Sequence, residues 1–250
     1  MLMRSERWFV RVLGTAAVID AVDQVGDVSI EPGRLRVPVV IVGVELPTPT
    51  LPTAVAIIWL IGAVLLIAGP VRPGAAAVVV ASGLTLVSDQ QLYSNHTFLI
   101  WNLCLLVTLT WSNHWVLGLT VRTQISVVYV FAALSKLRSP WLSGDVLRRT
   151  ADGVIGLPIA RDLPDRSLTA VALWVIVVEL VLAVLVWRGR SVGVVVAGAF
   201  HLGIVAVVGN QVGLVVFGIA MLSHFALPAL ARPASTSKSG SIPPAGAPAG

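Results

Sequence analysis

The sequence predicts an all-α fold: a polytopic membrane bundle of about eight transmembrane helices, with both termini in the cytoplasm. The first observation is composition, because 56% of the 250 residues are hydrophobic and only 12% are charged. Soluble domains carry about 25% charged residues, so this surface fits lipid better than water. The second is that several apolar runs approach the roughly 20 residues that a helix needs to cross a bilayer. The third is the distribution of charge between these runs.

Eight segments are predicted to span the membrane. They cover about residues 8–26, 53–70, 74–89, 95–112, 122–138, 167–187, 191–209 and 211–228. The first span is weakened by Asp20 and Asp23, and the third is short and rich in Gly and Ala. Together, residues 1–230 are predicted to form one transmembrane domain. Residues 231–250 are rich in Pro, Ala, Ser and Gly without hydrophobic periodicity, which predicts a disordered tail.

The charges between the spans predict the orientation. With the N-terminus inside, the inner segments carry nine basic residues against one acidic residue, Glu6. The nine are Arg4, Arg7, Arg11, Arg72, Arg122, Arg188, Arg190, Arg232 and Lys238. The outer segments carry eight basic residues against nine acidic ones. Because Lys and Arg favour the cytoplasmic side, the purely basic short inner loops support this orientation.

Several classes of function are not indicated. The basic residues are scattered without a patch, so nucleic acid is not an expected partner. No HxxxH or HExxH spacing occurs, so no metal is expected. The single cysteine, Cys104, allows no intrachain disulfide. The sequence also lacks GxSxG and a phosphate-binding glycine loop, so soluble-enzyme chemistry is not predicted.

Ionisable side chains inside the spans are the candidates for function, because each costs about 2.5–3.5 kcal/mol at the centre of a membrane helix. They are Asp20, His96, Lys136, Glu179, His201 and His224. Lys136 ends the fifth span, with Tyr129 two turns earlier on the same helix face. A lysine side chain that is partly excluded from water loses its proton more readily, and the neutral amine can then act as a base. The alternative is an interfacial lysine that extends to the outer headgroups.

The other polar residues allow two interpretations each. His96 opens the fourth span on the outer side, so it could share a pocket with Lys136, or it could belong to a helix cap with Ser94 and Asn95. Glu179 and His201 lie at similar depth on neighbouring spans, which favours a hydrogen-bonded structural clamp over a proton path. Asp20 and His224 have no obvious partner, and a structural role is predicted for both.

The tripeptide Ser-Asn-His occurs twice, and its second histidine is predicted to mark a membrane boundary. His114 follows His96 by 18 residues, which corresponds to about 27 Å along a helix. That distance is close to the thickness of the hydrocarbon core, about 30 Å. The two histidines are therefore predicted to lie at opposite membrane surfaces, with His114 at the end of a helix.

Two motifs carry a resemblance to a known family. The first is Tyr-x-x-Ala-x-x-x-Lys-Leu-x-x-x-Trp-x-x-Gly, formed by Tyr129, Ala132, Lys136, Leu137, Trp141 and Gly144. The second is Asn95-His96 followed by an aromatic residue, Phe98. The chain resembles, over about residues 5–228, the HTTM (horizontally transferred transmembrane) domain. This family is related to the membrane domain of vitamin K-dependent γ-glutamyl carboxylase.

The resemblance implies a bacterial-style multi-pass protein of the cell membrane, surrounded by lipid, with a site near the outer leaflet. Lys136 would be the base that deprotonates a reduced quinone of the vitamin K or menaquinol type. His96, with Asn95, would stabilise the negative charge that develops on the substrate. The remaining pocket residues would be Tyr129, Trp141, Glu179 and His201. The carboxylases bind substrate proteins through a large luminal domain, so a partner protein is expected to replace it here.

Three hypotheses stay open from the sequence. The first is quinol-dependent chemistry, in which case the protein would be a carboxylase-like or oxygenase-like lyase. The second is a non-enzymatic membrane partner, or a structural or immunity-type subunit, in which the polar residues only hold helices together. The third is a small transporter lined by Asp20, Glu179 and His201. It ranks lowest because no inverted repeat or pair of broken helices is visible.

Overall fold

The computed structural model describes eight stretches of the chain. They are residues 4–30, 40–41, 44–45, 52–88, 95–150, 163–188, 190–208 and 212–227. Within these stretches the chain forms ten α-helices, one 3-10 turn and one short pair of strands. The all-α prediction is therefore confirmed. The tail predicted over residues 231–250 lies outside the described residues.

The first half of the chain contains four long helices. They are α1 (Arg4–Ile30), α2 (Pro52–Ala68), α3 (Val71–Ser88) and α4 (Asn95–Thr110). Between α1 and α2, the two-residue strands β1 (Val40–Ile41) and β2 (Val44–Glu45) pair antiparallel.

The second half contains four further long helices and two short ones. They are α5 (His114–Ser135), α6 (Ser139–Leu142), α7 (Asp145–Thr150), α8 (Asp165–Arg188), α9 (Arg190–Val208) and α10 (Val212–Ser223). The 3-10 turn His224–Ala226 follows α10 directly.

Each of the eight predicted spans overlaps with one long helix. Two of these, α5 and α8, are by themselves long and apolar enough to cross a membrane. The helical segments over residues 54–68, 71–87, 95–110, 191–206 and 212–226 are apolar but shorter. The arrangement of eight spans and its orientation in the membrane therefore stay predictions.

The long helices pack around one large apolar core, and Leu147, Leu168 and Ala172 form a second, smaller cluster. Helix α1 lies against α2, α4 and α10, while α3 packs between α2 and α4. Helix α5 packs mainly on α8, and α9 contacts both α8 and α10. The largest fully buried side chains include Phe9, Trp59, Ile100, Ile125 and Leu182, which come from five different helices. This arrangement brings the start of α4 close to both α1 and α10.

The outer surface and the interior have the polarity expected of a protein in lipid. Large apolar side chains are exposed on the outside, and Leu202 is 72% exposed. Several ionisable side chains are buried instead: Glu6, Asp20, Arg122, Glu179, His201 and His224. In water this distribution would leave a large apolar surface uncovered. Lipid would cover it, and the buried polar groups would then need partners inside the bundle.

One predicted boundary was wrong. The fifth span was predicted to begin at residue 122, with Arg122 in the inner loop. Helix α5 begins instead at His114, where the Asn113 side chain accepts a hydrogen bond from the Val116 amide at 3.1 Å. Arg122 therefore lies two turns inside α5 and is only 6% exposed. Its guanidinium donates to the carbonyl oxygens of Gly118 and Leu227, both at 3.3 Å. The turn over residues 111–113 has no Lys or Arg, so one loop no longer supports the charge argument.

Candidate functional site

A cavity of about 1630 Å³ lies between α4, α5, α8, α9 and α10. Its wall includes all seven residues that were predicted as site residues: Asn95, His96, Tyr129, Lys136, Trp141, Glu179 and His201. The structure thus brings these side chains around one space, while their chemical roles stay predictions. Most of the remaining wall is apolar and aromatic, with Phe98, Trp174 and Phe217 among its members.

Lys136 and Glu179 form an ion pair on this wall. Lys136 Nζ donates to Glu179 Oε1 at 2.7 Å and to the Ala132 carbonyl oxygen at 3.3 Å. Both side chains are shielded, since their exposed fractions are 14% and 5%. The Trp141 ring lies with its centroid 5.2 Å from Nζ, within the range of a cation–π contact. The Lys136 amine therefore faces Glu179 and Trp141, while the position of this residue relative to the outer headgroups stays a prediction.

Glu179 and His201 do not form the predicted clamp. Glu179 pairs with Lys136, and His201 Nε2 is hydrogen-bonded to the Tyr129 hydroxyl at 3.0 Å. The His201 ring also packs edge-on against Phe200 and Phe217. The physical reason is that α5 supplies both partners. Tyr129 lies on α5, and Lys136 is the residue at its C-terminal cap, about two turns later. They satisfy the polar residues of α8 and α9 separately.

His96 lines the same cavity and contacts the first helix. Its Nε2 lies 3.2 Å from Oδ1 of Asp20, and the Thr97 hydroxyl donates to the same oxygen at 3.2 Å. The prediction that Asp20 has no partner was therefore wrong. Asp20 was missed because it comes from α1, which only tertiary packing brings beside α4. The alternative cap formed by Ser94 lies outside the described residues.

The other two histidines lie away from the cavity. His114 lies at a helix end, as predicted, but it begins α5 and does not continue the helix of His96, which ends at Thr110. Its Nδ1 lies 2.8 Å from Oε1 of the buried Glu6. His224 is fully buried, and its Nδ1 is hydrogen-bonded to the Met221 carbonyl oxygen. His224 was predicted to lack an obvious partner, and this contact supplies one. The contact lies within the last turn of the α10 segment, as expected for a structural role.

Within the stretches described here, no group of three or more His, Cys, Asp or Glu side chains could hold a metal ion. The ionisable groups of the cavity wall are one amine, the two carboxylates of Asp23 and Glu179, two imidazoles and one phenol hydroxyl. Such groups bind and move protons and stabilise negative charge.

Residues 113–229 match the family model of the HTTM domain. This segment is similar to an HTTM domain. No curated protein and no solved structure matches the chain. HTTM is a membrane domain, and α5 and α8, the two helices that are long and apolar enough to cross a membrane, both lie within it. The matched segment supplies Tyr129, Lys136, Trp141, Glu179 and His201 to the cavity, whereas Asn95 and His96 come from the chain before it.

Position 144, the last residue of the Tyr-to-Gly motif, requires glycine for a structural reason. Its φ is +79°, in the left-handed region that favours glycine. A Cβ atom at this position would lie 2.3 Å from Cβ of Leu168 in α8. Gly144 therefore lets the segment that carries Trp141 pack closely on α8, the helix that carries Glu179.

Replacing Gly144 by Ala is expected to lower the free energy of unfolding by about 2 kcal/mol, because backbone strain and steric overlap add. The measurement is unfolding of the purified protein by SDS titration in mixed micelles. Gly69→Ala is the matched control, since Gly69 also has a positive φ, +133°, but no neighbour within 4 Å of the added Cβ. An equal loss in both variants would contradict the packing argument.

Proposed function

We propose that this is a multi-pass membrane protein of eight spans with both termini in the cytoplasm, and that its cavity performs quinol-dependent chemistry near the outer face. The observation that carries the proposal is the Lys136–Glu179 pair on the cavity wall. An amine that is shielded from bulk water, next to a buried carboxylate, is a suitable proton acceptor. A reduced quinone has the acidic hydroxyl group that such an amine can deprotonate.

The carboxylate explains how Lys136 can act as a base although it is paired. Nζ and Oε1 are 2.7 Å apart, so a proton can shift along this hydrogen bond from the ammonium to Glu179. The pair then consists of a neutral amine and a neutral acid. This shift leaves the net charge of the site unchanged, and an apolar surrounding tolerates neutral groups better than separated charges. Nζ can then accept the proton of a bound hydroxyl.

The cavity suits a reduced quinone of the vitamin K or menaquinol type by size and lining. Its volume of about 1630 Å³ exceeds the roughly 300–1000 Å³ of typical small-molecule sites, so there is space for a second reactant. Its aromatic side chains match a flat ring, and its apolar wall matches a lipid tail. When bound, the reduced quinone would supply the reducing equivalents for the reaction. The residues of the chain bind and orient it, exclude water and hold the transferred proton.

His96 and Asn95 are proposed to stabilise negative charge on the second reactant. Both side chains line the cavity, and both belong to the first turn of α4. The N-terminus of a helix carries a partial positive charge, which favours an anion at this end of the cavity. Tyr129 and His201 add a hydroxyl and an imidazole on another part of the wall.

A second candidate function is a non-enzymatic membrane partner, and the polar contacts between helices favour it. Three buried acidic residues each contact a cation or histidine of another helix: Glu6 with His114, Asp20 with His96, and Glu179 with Lys136. Polar contacts of this kind hold membrane helices together without any chemistry. In this candidate, replacing Lys136 lowers stability or partner capture and changes no redox reaction.

The deciding experiment is turnover of vitamin K hydroquinone or menaquinol, with added dioxygen as the oxidant, to the epoxide and water in membranes that contain the protein. Lys136→Ala is expected to reduce turnover by at least about 100-fold, because a positioned general base contributes about that much. Arg138→Ala is the control, since this exposed cation lies two residues away and outside the cavity wall. Equal turnover in wild type and Lys136→Ala would refute the role of Lys136. No turnover in the wild type would favour the non-enzymatic candidate.

A further inference from the structure

The His96 ring is held by three separate helices. It belongs to the first turn of α4, and its Nε2 lies 3.2 Å from Oδ1 of Asp20 in α1. On α10, Gly213 packs directly against the ring. A Cβ atom added to Gly213 would lie 2.4 Å from Cε1 and 2.6 Å from Nδ1 of His96. The ring therefore occupies the space that any other residue at position 213 would need.

Asp20 favours one position of the proton on the His96 ring. Its side chain is completely buried, so an ionised carboxylate there needs hydrogen-bond donors. Thr97 supplies one donor to Oδ1, and His96 Nε2 is within reach of the same atom. The other oxygen, Oδ2, makes no hydrogen bond within the described part of the chain. A proton on Nε2 is therefore the arrangement that satisfies Asp20 best.

The pattern of an acidic side chain behind a histidine fixes both ring orientation and proton position. If Nε2 carries the proton that faces Asp20, the ring is held in one orientation on the cavity wall. Negative charge in the cavity can then be stabilised by this ring only in its doubly protonated form, through the proton on Nδ1. Rotation of the ring would remove a donor from the buried carboxylate and would move the ring relative to Gly213. Asp20 itself does not line the cavity, so it can act only through His96.

We propose that Asp20 is a positioning residue, which holds His96 with its proton on Nε2 and its ring fixed between α1 and α10. The effect on turnover rests on the proposed function of the cavity, whereas the position of the proton does not. The site of the HTTM domain is then completed by α1 and α4, which lie before the matched segment. The site then requires the contact between the Asp20 carboxylate of α1 and His96, in addition to the motif that contains Lys136.

The test is ¹⁵N NMR of histidine-labelled protein in lipid bilayers, with His96 assigned through His96→Gln. In the wild type, His96 is expected to give signals of a single form that carries a proton on Nε2. Asp20→Asn keeps the size of the side chain but removes the charged acceptor. We expect a second set of His96 signals in this variant, which indicates a mixture of proton positions. Unchanged His96 signals would overturn the proposal.

Gly213→Ala gives the same test without changing Asp20, in case Asp20→Asn does not fold. The added methyl group must displace the His96 ring, so its signals are expected to change as well. Gly198→Ala in α9 is the matched control, because a Cβ there has no neighbour within 4 Å. Altered His96 signals in Gly198→Ala, equal to those in Gly213→Ala, would also overturn the proposal.

Turnover of vitamin K hydroquinone separates positioning from a merely structural effect. Asp20→Asn is expected to lower kcat by about 100-fold, since a small misplacement of a reacting group has an effect of that size. KM for the hydroquinone is expected to stay within about threefold, because Asp20 does not touch the cavity. A rise in KM with unchanged kcat would contradict positioning. If the wild type shows no turnover, the proposed function fails, while the NMR signals still decide the position of the proton.

Discussion

Replacing Lys136 by Met is expected to lower the free energy of unfolding by about 3–5 kcal/mol, because Glu179 then loses its partner while it stays buried. The two groups lie 2.7 Å apart, and Glu179 is only 5% exposed. Its second oxygen, Oε2, has no hydrogen bond among the described residues that would compensate. Glu179→Leu alone is expected to have a similar effect, since it leaves the ammonium of Lys136 without the carboxylate.

The double variant Lys136→Met with Glu179→Leu is expected to recover most of this loss, because no uncompensated charge remains. The measurement is a double-mutant cycle from SDS unfolding in mixed micelles. The matched control is the pair of Arg148 and Asp165, which has a similar distance of 2.6 Å but exposed fractions of 43% and 79%. Its coupling is expected to be at most about 1 kcal/mol. An equally small coupling at Lys136 and Glu179 would mean that their site is not shielded from water.

The same variants distinguish the two candidate functions. Glu179→Gln keeps a side chain of the same shape but removes the carboxylate that can take the lysine proton. If the pair only holds α5 and α8 together, turnover follows stability across all the variants. If Glu179 takes part in moving the proton, Glu179→Gln reduces turnover even in preparations where the protein remains folded. The unfolding curve and the turnover assay therefore need to be measured on the same samples.

The sequence predicted the helices well because each one is an apolar run of nearly uniform character. The face shared by Tyr129 and Lys136 followed from helical spacing, and both residues line the cavity. The partners of the polar residues were harder to predict. Glu179 and His201 lie on α8 and α9, two helices that follow each other closely in the chain. The Lys136 and Tyr129 side chains nevertheless form hydrogen bonds with each of them separately. Which polar residues pair between two helices depends on whether a third helix packs beside them. The spacing of residues along the chain does not give this information.

Asp20 and Gly213 illustrate the same limit for the environment of His96. One lies 76 positions before His96 and the other 117 positions after it. Nothing in their local sequence indicates that both contact the same ring. The buried position of Asp20 within an apolar span was the available signal, since a carboxylate there requires a donor. Which of the donors in the chain it would meet followed only from the packing of α1 against α4 and α10.

Arg122 was misplaced because basic residues usually mark the inner loops of membrane proteins. The signal for its true position was the pair Asn113-His114, since asparagine is a good N-cap residue and begins the helix eight residues earlier. A buried guanidinium is stable where it can donate to carbonyl oxygens. Arg122 does so with Gly118 on its own helix and with Leu227 at the end of the 3-10 turn after α10.

Replacing Arg122 by Leu is therefore expected to lower the free energy of unfolding by about 3–4 kcal/mol. Each hydrogen bond from a charged donor contributes about 1.5–3 kcal/mol, and the Leu227 carbonyl loses this donor. Arg72→Leu on α3 is the control, because Arg72 is exposed, and changes at such positions usually stay within about 0.5 kcal/mol. Hydrogen exchange should also increase at residues 224–227 in the Arg122 variant. Equal stability of the two variants would mean that Arg122 does not connect α5 to the end of α10.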